Sequence, residues 1–70
     1  MQSLSEIKPG ESCTIKWMFG VPEVMAFMRS RHIEEGSTLR VLQKAMGCII
    51  VRAGDVKLVI EEGVAERIKV

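Results

Sequence analysis

The side chains able to do chemistry in this sequence are few. Residues 29–42, "RSRHIEEGSTLRVL", hold the single histidine, His32, followed by Glu34 and Glu35, while the two cysteines, Cys13 and Cys48, lie well to either side. These types suit a divalent cation, which needs about three or four donors converging with a set geometry. The spacing argues against that use: His32 falls at a helix end, Glu34 and Glu35 fall in a turn, and the cysteines fall on different strands with no Cys-x-x-Cys pair. No metal site within one molecule is expected. An ion bound here would bridge two molecules through His32 with Glu34 or Glu35, giving a metal-bridged homo-oligomer.

Catalysis is served less well. A lone histidine, with no Ser-His-Asp arrangement and no phosphate-binding P-loop, leaves no nucleophile matched to an oriented base. Cys48 opens the β-branched run "CIIVRA", which suits a packed strand position better than a reactive thiol. Both cysteines are expected to be reduced and buried, since two are too few for the disulfide frameworks of small secreted domains. The chain reads as a non-enzyme without a cofactor.

The wider composition fits a binding role. With 70 residues, 47% of them apolar, residues 1–70 form one domain with a thin core. Ten basic against nine acidic residues give a net charge of +1 with no strong clustering along the sequence, which disfavours nucleic acid as partner. No run reaches the roughly 18 apolar residues of a membrane span, and "MQSLSEIKPGE" has no signal-peptide pattern. A cytoplasmic protein is expected.

The elements that must position these residues follow from periodicity. "KPGE" is a turn, with Pro9 presetting φ and Gly10 free to take a positive one. In "ESCTIKWMF" Cys13, Ile15, Trp17 and Phe19 alternate against Thr14, Lys16 and Met18, predicting one strand with the first set inward. Gly20 ends it, and Pro22 with Glu23 opens a helix to about His32, its apolar stripe formed by Val24, Phe27 and Met28 with Met25 beside it. After Gly36, "STLRVLQK", "CIIVRA" and "VKLVI" read as strands separated by turns at Ala45–Gly47 and Ala53–Asp55. "EEGVAER" is a single turn leading to a last strand, Arg67–Val70. The fold class is therefore mainly β: a small five-stranded barrel with one short helix inserted after the first strand, closed so as to remove exposed edges.

Several of these pieces, in this order, resemble the FeoA family, ferrous iron transport protein A. They are "L…I.PGE" at Leu4–Glu11, the helix with its apolar stripe, "GSTLRVL" at Gly36–Leu42, "G.VKLVI" at Gly54–Ile60 and the terminal "VAERIKV". The sequence departs from the family in two places. Arg31 and His32 stand where the family usually has Leu-Gly at the helix end, and "AMGCII" replaces a longer Pro-Leu-Gly-Asp-Pro turn. The resemblance implies an SH3-like barrel and an accessory role in bacterial ferrous iron uptake, binding the cytoplasmic part of the Fe(II) transporter FeoB as adaptor or regulator. Contact with the membrane would then be indirect, through the transporter. The alternative is an SH3-like regulatory module acting with a metal-responsive transcriptional repressor.

Within that reading the helix is the place for a partner. Val24, Met25, Phe27 and Met28 supply more apolar surface than one face against a small barrel uses, and methionine adapts readily to a partner's shape. Met25, Phe27 and Met28 are the expected contacts, with the groove between helix and barrel as the seat. Trp17 is an alternative anchor, although its place beside Ile15 favours burial.

Overall fold

A computed structural model gives the structure of residues 2–70. A four-stranded antiparallel sheet forms the larger layer, in the order β1 (Ser12–Thr14), β3 (Thr38–Ala45), β4 (Cys48–Ala53) and β5 (Val56–Glu61). Its registers put alternate residues on opposite faces. Leu39, Val41, Ile49, Val51 and Ile60 are buried on the inner face, whereas Ser12, Thr14, Arg40, Arg52 and Lys57 are exposed on the outer one. Leu42 is the extra residue of a bulge between Val41 and Gln43, which lets Val41 pack inward opposite Val51 while Gln43 lies opposite Ile50.

The turns carry this register. Glu11 N–H donates to the Lys8 carbonyl across Pro9 and Gly10, with Gly10 at φ 92°, the positive angle that the third position of a type II turn requires. Met46 and Gly47 join β3 to β4 with φ 52° and 76°, the pair of left-handed residues of a type I′ hairpin. A bulky side chain is strained at the first of these positions, and Met46 projects fully into solvent there.

The predicted first strand is two strands. After Thr14 the chain leaves β3, and β2 (Trp17–Met18) pairs with β6 (Ile68–Lys69) in a separate two-stranded sheet. Ile15 N–H still bonds to the Ser37 carbonyl, but Lys16 N–H already donates to Lys69, so the crossing occurs between neighbouring residues. It shifts the side-chain parity: Ile15 and Met18 are buried, three positions apart, and Trp17 turns outward. The expected burial of Trp17 and Phe19 is therefore overturned. Six strands in two sheets form the SH3-like fold without closing into a ring, and β5 keeps a free edge.

The helix α1 runs over Pro22–Ser30, with proline at its first turn as expected, and ends before the predicted His32. A backbone motif makes the exit. Ile33 N–H donates to the Met28 carbonyl and His32 N–H to that of Arg29, with His32 at φ 62°. This is a Schellman arrangement, in which a left-handed residue, usually glycine, ends the helix and the residue beyond packs back onto its last turn. Ile33 and Met28, both buried, make that packing pair. A second short helix, α2 (Glu62–Ala65), supplies the predicted turn before β6 and buries Ala65.

Candidate partner-binding surface

The helix and the free edge of β5 lie side by side, leaving an open groove of about 160 Å³ lined by Val24, Phe27, Met28, Leu58, Val59, Ile60 and Val64, with Glu61 at its end. Apolar side chains form nearly all of it because α1 turns its stripe toward the sheet while β5 has no further strand to cover its edge. Phe27 and Val59 are 46% and 61% exposed, so each offers substantial area that a partner could remove from water. The guanidinium of Arg31 sits 5.2 Å above the Phe27 ring, a cation–π contact that holds the ring upright on the helix.

Val24 and Val64 also border a second, smaller notch with Phe19, Gly20, Val21 and Met25. The two pits therefore form one band. Beyond the notch, Trp17 on β2 and Phe19 just after it stack at 4.7 Å between ring centroids, both exposed. The whole chain has 4383 Å² of accessible surface. A standard protein interface takes roughly 800 Å² from each partner, so an occupant of this face would have to span the groove and the aromatic pair together.

The expected contacts divide accordingly. Phe27 lies in the groove and is exposed, and Met25 is half-buried at the notch, but Met28 is 2% exposed and belongs to the core beneath the groove. Its side chain is structural. Phe19, Val21 and Val59 extend the surface beyond the expected set, and Trp17, the alternative anchor, is exposed on it. Val59 was legible, being the one apolar residue between Lys57 and Glu61 on the polar face of "VKLVIE". The exposure of Trp17 had no such signal, since its outward turn follows from a pairing between distant segments.

The residues first singled out for metal chemistry do other work. Arg29 pairs with Glu35 through two contacts of 2.9 and 3.4 Å, fastening the turn after α1 to the helix. The carboxyl of Glu35 is held below the usual glutamate range first by its own backbone N–H and then by Arg29. Ser37 Oγ donates to the His32 carbonyl and accepts from Glu34 N–H, so the loop is closed by its own hydrogen bonds. His32 borders a broad depression of about 440 Å³ with Arg31, Ser37, Thr38 and the Gly54–Asp55 hairpin tip. Among the described residues no three histidine, cysteine, aspartate or glutamate side chains are grouped to hold a metal ion. Both cysteines are free, but they are half-buried rather than buried as expected. Burial pushes the Cys13 thiol up, which lowers its thiolate fraction and hence its reactivity.

Comparison with known proteins adds the context. The chain matches the family model of the FeoA domain over residues 2–70. A crystal structure of an iron uptake regulatory protein (FeoA) superposes with a TM-score of 0.80 at 31% identity, covering 96% of this chain and 89% of that one. The solution structure of the FeoA protein from Chlorobium tepidum gives a TM-score of 0.92 at 26% identity, covering 97% of this chain and 67% of that one. A manganese-dependent transcriptional repressor has the same fold at 23% identity and a TM-score of 0.85; 96% of this chain is covered but only 39% of the repressor. No curated protein matches the chain. Among the described residues no helix is long and apolar enough to cross a membrane.

Proposed function

We propose, from the premise that the chain belongs to the FeoA domain family, that it is a non-enzymatic accessory protein of bacterial ferrous iron uptake. In this reading it acts in the cytoplasm as an adaptor or regulator, binding the cytoplasmic part of the ferrous iron transporter FeoB. The observation that carries the reading is the continuous exposed apolar band from Trp17 and Phe19 through Val24 to Phe27 and Val59. Small monomeric surfaces rarely leave such residues contiguous without a use. Phe27, Met25 and the aromatic pair are the contact residues.

Binding of the purified chain to the cytoplasmic domain of FeoB tests this, with Phe27→Glu as the variant. Phe27 is partly in solvent, so the change leaves the fold intact while placing a charge in the groove. Abolished binding with an unchanged circular dichroism spectrum is the expected result. Absence of binding by the unmodified chain would remove the reading. A second reading, a regulatory module acting with a metal-responsive repressor, has support in the likeness of fold to the manganese-dependent repressor. Retention of such a repressor on DNA by this chain, at equal FeoB affinity for the wild type and Phe27→Glu, would favour it.

A further inference from the structure

The outer face of the four-stranded sheet carries a charge arrangement that the partner band does not use. Arg40 lies directly opposite Arg52, and Arg52 directly opposite Lys57, so three cations stand in one row across β3, β4 and β5. All three are exposed. Like charges in directly opposed cross-strand positions destabilise a sheet, and among the described residues no acid forms an ion pair with them. Among the described residues the one ion pair is Arg29–Glu35, and the cationic side chains that donate hydrogen bonds are those of Arg29, Lys44 and Lys69. The nearest acids by sequence are Asp55, Glu61 and Glu35; the first two make no ion pair and the third is paired with Arg29. A chain whose net charge is only +1 thus concentrates three positive charges on one line.

Strands are spaced about 4.8 Å apart, so the stems of the row lie along a line of about 10 Å. Residues i, i+3 and i+7 of an α-helix rise by about 4.5 and 10.5 Å. Acidic side chains at those positions on a helix laid across the strands meet the three cations one to one. On the next row of the same face, Gln43, Ile50 and Val59 lie opposite one another, and Val59 is 61% exposed, which provides an apolar strip parallel to the charges. The face has no aromatic residue, since the three in the chain are Trp17, Phe19 and Phe27. That disfavours single-stranded nucleic acid, whose bases stack on aromatic rings. Anionic lipid would gain only the modest attraction of three cations.

We propose that the Arg40–Arg52–Lys57 row, with Ile50 and Val59 beside it, docks an acidic amphipathic helix of a partner protein. The site borders the α1–β5 groove at Val59, but Arg40, Arg52, Lys57 and Ile50 lie on the outer face of the sheet and line none of that groove. Its test uses the full chain labelled with nitrogen-15 and three stapled helical peptides of equal length: one with Glu at i, i+3 and i+7 beside leucines, one with those Glu moved to i, i+2 and i+5, and one with Lys in their place. The aligned acidic helix should shift the amides of Arg40, Arg52, Lys57, Ile50 and Val59, and bind at least about tenfold tighter than the misaligned one, the difference that about two modest ion pairs supply. Its affinity should fall as salt rises.

Arg52→Glu is the decisive variant, because it replaces repulsion from both neighbours by attraction. It should melt no lower than the wild type and lose the aligned helix, so that loss of binding is not loss of fold. Trp17→Ala, which cuts the partner band at a residue outside both the groove and the sheet's outer face, should bind the peptide as the wild type does. Equal affinity for aligned and misaligned helices, retention by Arg52→Glu, or loss on Trp17→Ala would overturn the assignment. So would perturbation of the same amides by oligouridylate or by phosphatidylglycerol vesicles but not by the peptide.

Discussion

The four-stranded sheet and the β2–α1 segment behave as two kinds of protein within one short chain. In the sheet, burial follows alternation: Leu39, Val41, Ile49 and Val51 are inside, and their neighbours in β3 and β4 are less buried or exposed. In the segment from Trp17 to Phe27 the apolar residues divide, with Met18 sealed in the core and Trp17, Phe19, Val21 and Phe27 left in solvent. The difference lies in how many partners fix each element. Residues of β3 and β4 are paired on both sides, whereas β2 is two residues long and pairs only with β6. Stability is thus invested in the sheet, and exposed apolar area in the segment beside it.

Truncation tests that division most severely. Leu39→Ala, at a fully buried position of β3, should cost about 2–5 kcal/mol through lost transfer energy and the cavity left behind. For a domain of this size that is a large part of the total. Trp17→Ala removes more side-chain volume, yet should cost less than about 1 kcal/mol, because half of the ring is already in water. Urea unfolding of both variants decides the matter. Equal losses would mean that the aromatic pair belongs to the core and that the band is no free surface.

The boundary between the two regions offers a gain instead of a loss. His32 occupies the left-handed exit of α1, where a side chain other than glycine costs about 1–2 kcal/mol, while glycine adds entropy to the unfolded chain. His32→Gly should stabilise by a net of about 0.5–1 kcal/mol, read as a rise in melting temperature of several degrees. His32→Ala keeps the strain and loses only the imidazole, so it should leave stability nearly unchanged. A loss on His32→Ala would give the ring a role of its own. Met46 makes a similar case within the sheet. Met46→Asn, a residue suited to the first position of a type I′ turn, should gain about 0.5 kcal/mol.

Much of the architecture was legible because local chemistry and tertiary pairing agree. Pro9–Gly10, the Ala45–Gly47 and Ala53–Asp55 turns, the start of α1 and the three strands after Gly36 occupy the expected places. The helix end was overestimated because its stop signal is conformational: a histidine in the left-handed region looks, in sequence, like one more helical residue. The first strand reads as one in sequence because Cys13, Ile15, Trp17 and Phe19 alternate, and nothing local records that Lys16 turns from β3 to β6. An apolar groove lies between helix and sheet, where the sequence points to a seat for a partner, but Met28 is buried beneath it. Helical periodicity puts Phe27 and Met28 on adjoining positions of one stripe, and it is tertiary packing, with Ile33 and the rest of the core, that buries Met28 and leaves Phe27 in solvent.

The smallest expected effect concerns the turn that joins the two regions. Glu35 is exposed and paired with Arg29, and its folded-state carboxyl titrates below the ordinary glutamate value of about 4.3. A depressed acid stabilises the fold above its unfolded value and loses that contribution as pH falls through its folded one. The linkage therefore appears only on the acid side, below about pH 4.5. Glu35→Gln should leave the midpoint of urea unfolding near neutrality almost unchanged, since exposed pairs contribute little. It should also flatten the acid limb of the midpoint plotted against pH. A flattened limb does not by itself say which of the two causes, the backbone N–H or Arg29, supplies the shift, whereas an unchanged slope would mean that neither does. Arg29→Gln separates them, because it removes the ion pair and leaves that backbone bond in place.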